Sequence, residues 1–325
     1  MQHHTVLPAA SAMSIDRVSH RHPARLAAHM PKSRLLPVLS LILLSVCWGY
    51  SWVWNKMALL DAGPFTFSAY RMLLASACLL LVLHLTRRPF APVRPKQLML
   101  LGFIQTTGFV GLSMWALVEG GVGATSILVF TMPFWTMLMA WPVLGERVRG
   151  AQWVAVALAA VGLMVILQPW DMAQTTLLSK LLGLASGMLW AAGSVYVKYM
   201  QQREPRDLLS LTAWQMSFGA IPLMIIAQLV AEPDAHWTPR FLYVLGVTSL
   251  LSTAFAWWLW SYILKHVDAG IAGLSMLAVP LIAIASSAWR FGERPQPEEM
   301  TGMALILTAL LITGARALRA RARTA

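Results

Sequence analysis

The sequence predicts an all-α integral membrane fold of ten transmembrane helices, arranged as two inverted five-helix repeats with the N- and C-termini cytoplasmic. Three observations carry that expectation. The 325 residues are 58% apolar and 12% charged, with a mean hydropathy of +0.63, which is more apolar surface than one soluble core can hide. The apolar stretches come in lengths of about 20 residues, enough to cross ~30 Å of hydrocarbon at ~1.5 Å per residue. The chain also repeats itself: WGYSWVWNK, from Trp48 to Lys56, returns as WAAGSVYVK, from Trp190 to Lys198, an offset of 190 − 48 = 142.

In order, the expected spans are 36–56, 65–85, 97–117, 121–143 and 151–169, then 179–199, 208–230, 241–262, 269–289 and 299–316. The fourth and ninth share a second repeated signal, Met132-Pro133 followed by Gly145-Glu146-Arg147, and Val279-Pro280 followed by Gly292-Glu293-Arg294. Five spans fall in each half, and an odd number of crossings turns the second copy over relative to the first. The expected organisation is a polar basic N-terminal tail over 1–34, disordered; a first repeat over 35–169; a linker over 170–178; a second repeat over 179–316; and a basic C-terminal tail over 317–325.

Charge sets the orientation. The N-tail, 86–96, 144–150, 200–207, 263–268 and the C-tail hold nearly all the loop Lys and Arg, including Arg87, Arg88, Arg203 and Arg206. The opposite loops have little beyond Lys180, Arg240 and Arg294, so the positive-inside bias puts both termini in the cytoplasm and the chain in the plasma membrane, the inner membrane of a bacterium. The net charge of +12 is spread over many short loops, which speaks against a nucleic-acid partner. Residues 1–34 lack an apolar signal-peptide core, so the first span is expected to act as the insertion signal. A start at Met30, just before Lys32 and Arg34, is a further expectation that the mass of the natural N-terminus would test.

Cys47 and Cys78 sit within spans and read as packing residues, with neither a disulfide framework nor a metal site expected. No His-Glu-x-x-His, Gly-x-Ser-x-Gly or Walker motif is present, and every carboxylate falls in a loop, a tail or a helix end. No enzyme activity, catalytic residue, cofactor or midplane proton relay is therefore expected. Energy for any transport would come from solute or ion gradients.

Within the spans, Arg71 is the notable cation, and its counterpart in the repeat is Gln215. An Arg at that depth either contacts an anionic or zwitterionic solute or snorkels to the surface. Lys56 and Lys198 end the first helix of each repeat; they read as two gates, or as cations favoured at helix C-termini. Pro133 and Pro280 free backbone carbonyls that only protein or a water-filled cavity can satisfy, so they point to a pathway or to structural kinks. Gln105, Thr106, Thr107 and Ser113 on the third span, and Ser249, Ser252, Thr253 and Trp257 on the eighth, offer hydrogen bonds and aromatic surface, while Trp258 and Trp260 read as interfacial anchors. The Gly-Glu-Arg turns read as helix terminators. The expected pathway is Trp48, Arg71, Gln105, Pro133, Trp190, Gln215, Trp257 and Pro280. A homodimer through the fifth and tenth spans, on small-residue faces such as Ala155, Ala159, Ala160 and Gly162, is left open.

Trp48-Gly49, Arg71, Pro133, Gly145-Glu146 and their partial repetition resemble the EamA-like family of the drug/metabolite transporter superfamily over about residues 36–316. The second copy departs at Ala191 and Gln215, where Gly49 and Arg71 stand in the first. The resemblance implies a compact carrier, often an exporter of amino acids or related solutes, with a cavity bounded by both repeats and with small-molecule substrate and lipid bilayer as partners. Two other readings stay open: a multidrug exporter of amphipathic compounds on the same fold, and a non-transporting membrane assembly subunit.

Overall fold

The structure is a computed structural model that describes residues 35–148, 150–168, 177–266 and 278–322. The expected tail 1–34, most of the 170–178 linker and the first part of the expected 269–289 span lie outside the described residues. The described residues are helices and their connections: α1 (Leu35–Ala58), α2 (Pro64–Leu85), α3 (Pro95–Glu119), α4 (Val122–Leu144), α5 (Ala151–Leu167), α6 (Leu177–Arg203) and α7 (Leu208–Leu229). α8 runs from Pro239–Val247 through a π-helical Thr248–Phe255 into Ala256–His266, and α9 (Ala278–Phe291) and α10 (Pro297–Ala322) follow. Among the described residues, α2, α3, α4, α6, α7 and the Pro239–Trp260 part of α8 are long and apolar enough to cross a membrane. α9 and parts of α5 and α10 are shorter apolar helices. α10 continues as helix through Ala322, past the 316 limit expected from hydropathy.

Helix starts follow local chemistry. Proline opens α2, α3, α8 and α10, where its missing N–H and fixed φ are tolerated. Asp207 caps α7 by accepting from Ser210 N at 2.9 Å, and Thr238 caps α8 by accepting from Phe241 N at 3.1 Å. α4 breaks between Val129 and Met132, with Pro133 in the first turn of its second segment. Gly145 and Gly292 close α4 and α9 at φ +71° and +68°, a left-handed conformation that a side chain would strain.

Neighbouring helices come in exchanged sets. α1 packs on α9 as α6 packs on α4; α6 packs on α3 as α1 packs on α8; α2 packs on α8 as α7 packs on α3. The remaining large pairs, α2 with α7 and α5 with α10, each join equivalent helices of the two halves. Glycines permit the tightest crossings. A methyl group on Gly219 of α7 would stand 2.5 Å from the Gly102 carbonyl oxygen of α3, and one on Gly302 of α10 would stand 2.7 Å from the Gly162 carbonyl oxygen of α5. Ala155 and Ala159, candidates for an intermolecular face, are buried inside the chain in the cluster that holds Ile306 and Leu310 of α10, whereas Ala160 is exposed.

The main core runs through Phe67, Met72, Leu79 and Leu83 of α2, Met114 and Leu117 of α3, Met216 and Leu223 of α7 and Phe241 and Val244 of α8. Large apolar side chains such as Leu73, Leu81, Phe103, Val161, Ile225 and Leu242 point outward, as lipid solvation requires. Cys47 is buried and Cys78 half-buried, both as free thiols. Where α2 begins, Glu232 accepts from Phe65 N at 2.9 Å, Thr66 N at 2.8 Å and Thr66 Oγ1 at 2.7 Å, satisfying N–H groups that no turn of helix can reach. Asp61 holds Arg240 through two hydrogen bonds of 2.9 and 2.8 Å and stands well below the usual carboxylate range, chiefly because of that guanidinium.

Candidate functional site

The third helix of each half leaves α-helical winding at the same relative place. Gly102–Gly108 in α3 and Thr248–Phe255 in α8 are both π-helical, and the starts differ by 248 − 102 = 146 residues. A π-segment carries an extra residue in its turn and loosens the ladder, so carbonyls and polar side chains become free to face inward. Gln105 and Thr106 come from the first of these segments and Ser252 and Thr253 from the second. Trp48 Nε1 donates to the Ser252 carbonyl at 3.0 Å, which fixes the ring of α1 against the loosened part of α8.

These residues line a central cavity. Both halves contribute, through α1, α2, α3 and α4 on one side and α6, α7 and α8 on the other. Aromatic rings form a connected wall: Phe109 to Trp190 at 4.7 Å, Trp190 to Trp257 at 5.1 Å, and Trp257 to Trp48 at 6.5 Å between centroids. Arg71 enters from α2, donates from Nη1 to Asn55 Oδ1 at 2.9 Å and lies 5.8 Å from the Phe67 ring centroid.

Of the residues expected to form a pathway, Trp48, Arg71, Gln105, Trp190, Gln215 and Trp257 are brought together in this cavity. The two prolines are not among its lining. Pro133 is exposed and its neighbour Met132 lines the cavity instead, while Pro280 is buried. Trp260 packs 6.0 Å from Trp48, and Trp258 is exposed. Sequence reasoning passed over Asn55, Phe109 and the π-winding. A signal for Asn55 existed, because its duplicate is Val197 (197 − 55 = 142) just as the duplicate of Arg71 is Gln215, so the hydrogen-bonded pair is lost as a pair in the second half.

Lys56 and Lys198 do not reach the cavity. Lys56 pairs with Glu293, and Lys198 pairs with Glu146, so each repeated lysine binds the Gly-Glu-Arg glutamate of the opposite half. Glu293 also accepts from Ser287 Oγ and, at 2.9 Å, from Val122 N at the start of α4, while Lys56 reaches the Gly120 carbonyl at 3.4 Å. α4 has 23 residues, so at ~1.5 Å per residue its Val122 end, held by Glu293, stands about 30 Å from its Leu144 end, beside Glu146. The two pairs therefore clasp the halves at opposite ends of the molecule. They differ in exposure: side chains are 29% and 24% exposed at Lys56–Glu293, against 51% and 47% at Lys198–Glu146.

Burial pushes the Glu293 carboxyl up, but the hydrogen bonds from Lys56 and Ser287, the Lys56 charge and the Val122 N–H together pull it below its ordinary value. A lowered folded value means that this stabilisation is complete above the unfolded value and is lost as pH falls through the folded one. Melting temperature of the purified protein should thus fall as pH drops below the ordinary glutamate range, and Glu293→Gln should flatten that acid limb, leaving the part due to Asp61. An unchanged acid limb in the variant would mean that Glu293 adds nothing to it.

The EamA-like transporter family model matches residues 35–168 and again residues 177–315. The chain belongs to the EamA-like transporter family. It is thus a multi-pass membrane transporter, and its partners are a small-molecule substrate and the lipid around it. A Bacillus subtilis (strain 168) protein called uncharacterized transporter YoaV is 27% identical over 280 residues, covering 85% of this chain and 93% of that one. A probable amino-acid metabolite efflux pump of Escherichia coli (strain K12) is 27% identical over 294 residues, 86% of this chain and 95% of that one. A riboflavin transporter of Rhizobium johnstonii is 32% identical over 188 residues, 57% and 59% of the two chains. A crystal structure at 15% identity agrees with a TM-score of 0.62 over 87% of this EamA-like chain and 98% of its own, a likeness of fold alone.

Proposed function

We propose that this EamA-like protein is a secondary transporter that exports a small polar or amphipathic metabolite, such as an amino acid or a related solute, by alternating access in the bacterial inner membrane. Ten spans form two inverted five-helix repeats, with both termini cytoplasmic, and the cavity is the site that changes sides. The observation that carries the reading is the cavity itself, walled by equivalent helices of both halves and flanked by an equivalent cross-half ion pair at each end. Rocking one half against the other would open one pair while the other stays shut, making Lys56–Glu293 the outer gate and Lys198–Glu146 the inner gate. The resemblance to relatives named as amino-acid metabolite efflux pumps supports the solute class. Flux of an amino-acid and metabolite panel through proteoliposomes of the purified chain tests it, with and without a pH gradient. Saturable flux of a panel member is the expected result; a tight membrane that passes none of them would sink the carrier reading.

A further inference from the structure

Resting on that carrier reading, the chemistry of the cavity narrows the solute. Arg71 is the only charged side chain among the described residues lining it, and no carboxylate faces the guanidinium there. Among the described residues its hydrogen-bonded partner is the neutral Asn55, and its Nε is buried without one. A guanidinium held out of water in this way is costly, and an anion offsets the cost through charge-assisted hydrogen bonds.

Two other lining groups are unsatisfied. Gln215 Oε1 and Ser252 Oγ are buried without hydrogen-bond partners, and the amide oxygen can only accept. The connected rings of Phe109, Trp190, Trp257 and Trp48 offer a broad flat surface on which a conjugated ring can stack or meet edge to face. Aromatic faces also attract cations, but with no acid among the described lining residues the Arg71 charge opposes a net positive solute.

We infer that the cavity takes an aromatic carboxylate carrying a further N–H or O–H donor: the carboxylate meets Arg71, the ring lies along the tryptophan wall, and the donor satisfies Gln215 Oε1. The second half supplies an uncharged acceptor where the first supplies a cation, so the solute is held in one sense across the pseudo-symmetric cavity.

Three probes, a reference and two that each differ from it in one feature, test this on the full chain in proteoliposomes. Phloretate has a ring, a carboxylate and a hydroxyl; tyramine exchanges the carboxylate for an ammonium; ε-hydroxycaproate lacks the ring. Phloretate is expected to half-saturate flux at a concentration about tenfold lower than either of the others. Arg71→Gln is expected to abolish the preference over tyramine while leaving the preference over ε-hydroxycaproate, and the wild-type series decides the matter should that variant fail to fold. Tyramine or ε-hydroxycaproate carried as well as phloretate overturns the inference. Alanine or serine flux without phloretate flux also overturns it and leaves the carrier reading standing, whereas absence of flux across the whole panel removes both.

Discussion

Gly219→Ala is expected to destabilise the protein by about 3 kcal/mol or more, whereas Gly246→Ala is expected to be neutral or slightly stabilising. The new methyl group on Gly219 would lie 2.5 Å from the Gly102 carbonyl oxygen and closer still to Thr106 Cβ, at the crossing of α7 with the π-helical part of α3. Neither neighbour is the loose end of a side chain, so relief requires the two helices to part. Parting them would also disturb Thr107 Oγ1, which donates to the Gly219 carbonyl at 2.7 Å, and would displace Gln105 and Thr106 in the cavity wall. A methyl group on Gly246, by contrast, meets nothing within 4 Å, and alanine is the better helix former by about 1 kcal/mol. Thermal melting and size-exclusion profiles of the two purified variants check the contrast. Equal melting temperatures would show that the α3–α7 crossing yields more easily than rigid backbone should.

The same crossing shows what hydropathy can and cannot convey. The apolar runs place the helices because lipid demands an apolar surface whatever the winding, so α2, expected over 65–85, occupies Pro64–Leu85. The π-winding of Gly102–Gly108 and Thr248–Phe255 left no such mark, since one extra residue in a turn does not change the apolar fraction. Within the site, Trp48, Arg71, Gln105, Trp190, Gln215 and Trp257 stood out because polar and aromatic groups inside apolar spans need a reason to be there. Glu146 and Glu293 read as helix terminators for the opposite reason: in loops, a carboxylate is ordinary. Their partners, Lys198 and Lys56, are 198 − 146 = 52 and 293 − 56 = 237 residues away, a separation that no local pattern encodes. Duplication held the missing information. Two lysines and two glutamates stand at matched places in the two copies, and both pairs form across the halves.

Those meetings set up the second large effect. With Cys47 and Cys78 replaced by alanine and a single cysteine placed at Ser113 in the cavity wall, Glu293→Gln is expected to speed labelling by a membrane-impermeant maleimide from the outer side about five- to tenfold. Glu146→Gln is expected to slow it, by less. The expected effect is a population shift: in the proposed cycle each pair exists only while its end is closed, so removing one charge weakens that closure by whatever the pair is worth. An exposed ion pair contributes at most about 1 kcal/mol, and Lys198–Glu146 is of that kind. Lys56–Glu293 is better shielded, and Glu293 is further held by Ser287 and the Val122 N–H, so the closure proposed for the outer side has more to lose. Gln can still accept from Val122 N, which keeps the start of α4 capped and separates loss of charge from loss of structure. The double exchange Lys56→Glu with Glu293→Lys should return labelling toward the parental rate, because it restores attraction between the same two helix ends. Identical labelling in Glu293→Gln, Glu146→Gln and the parent, at matched melting temperature, would mean that the pairs are staples holding the ends of a fixed bundle and that the gates lie elsewhere.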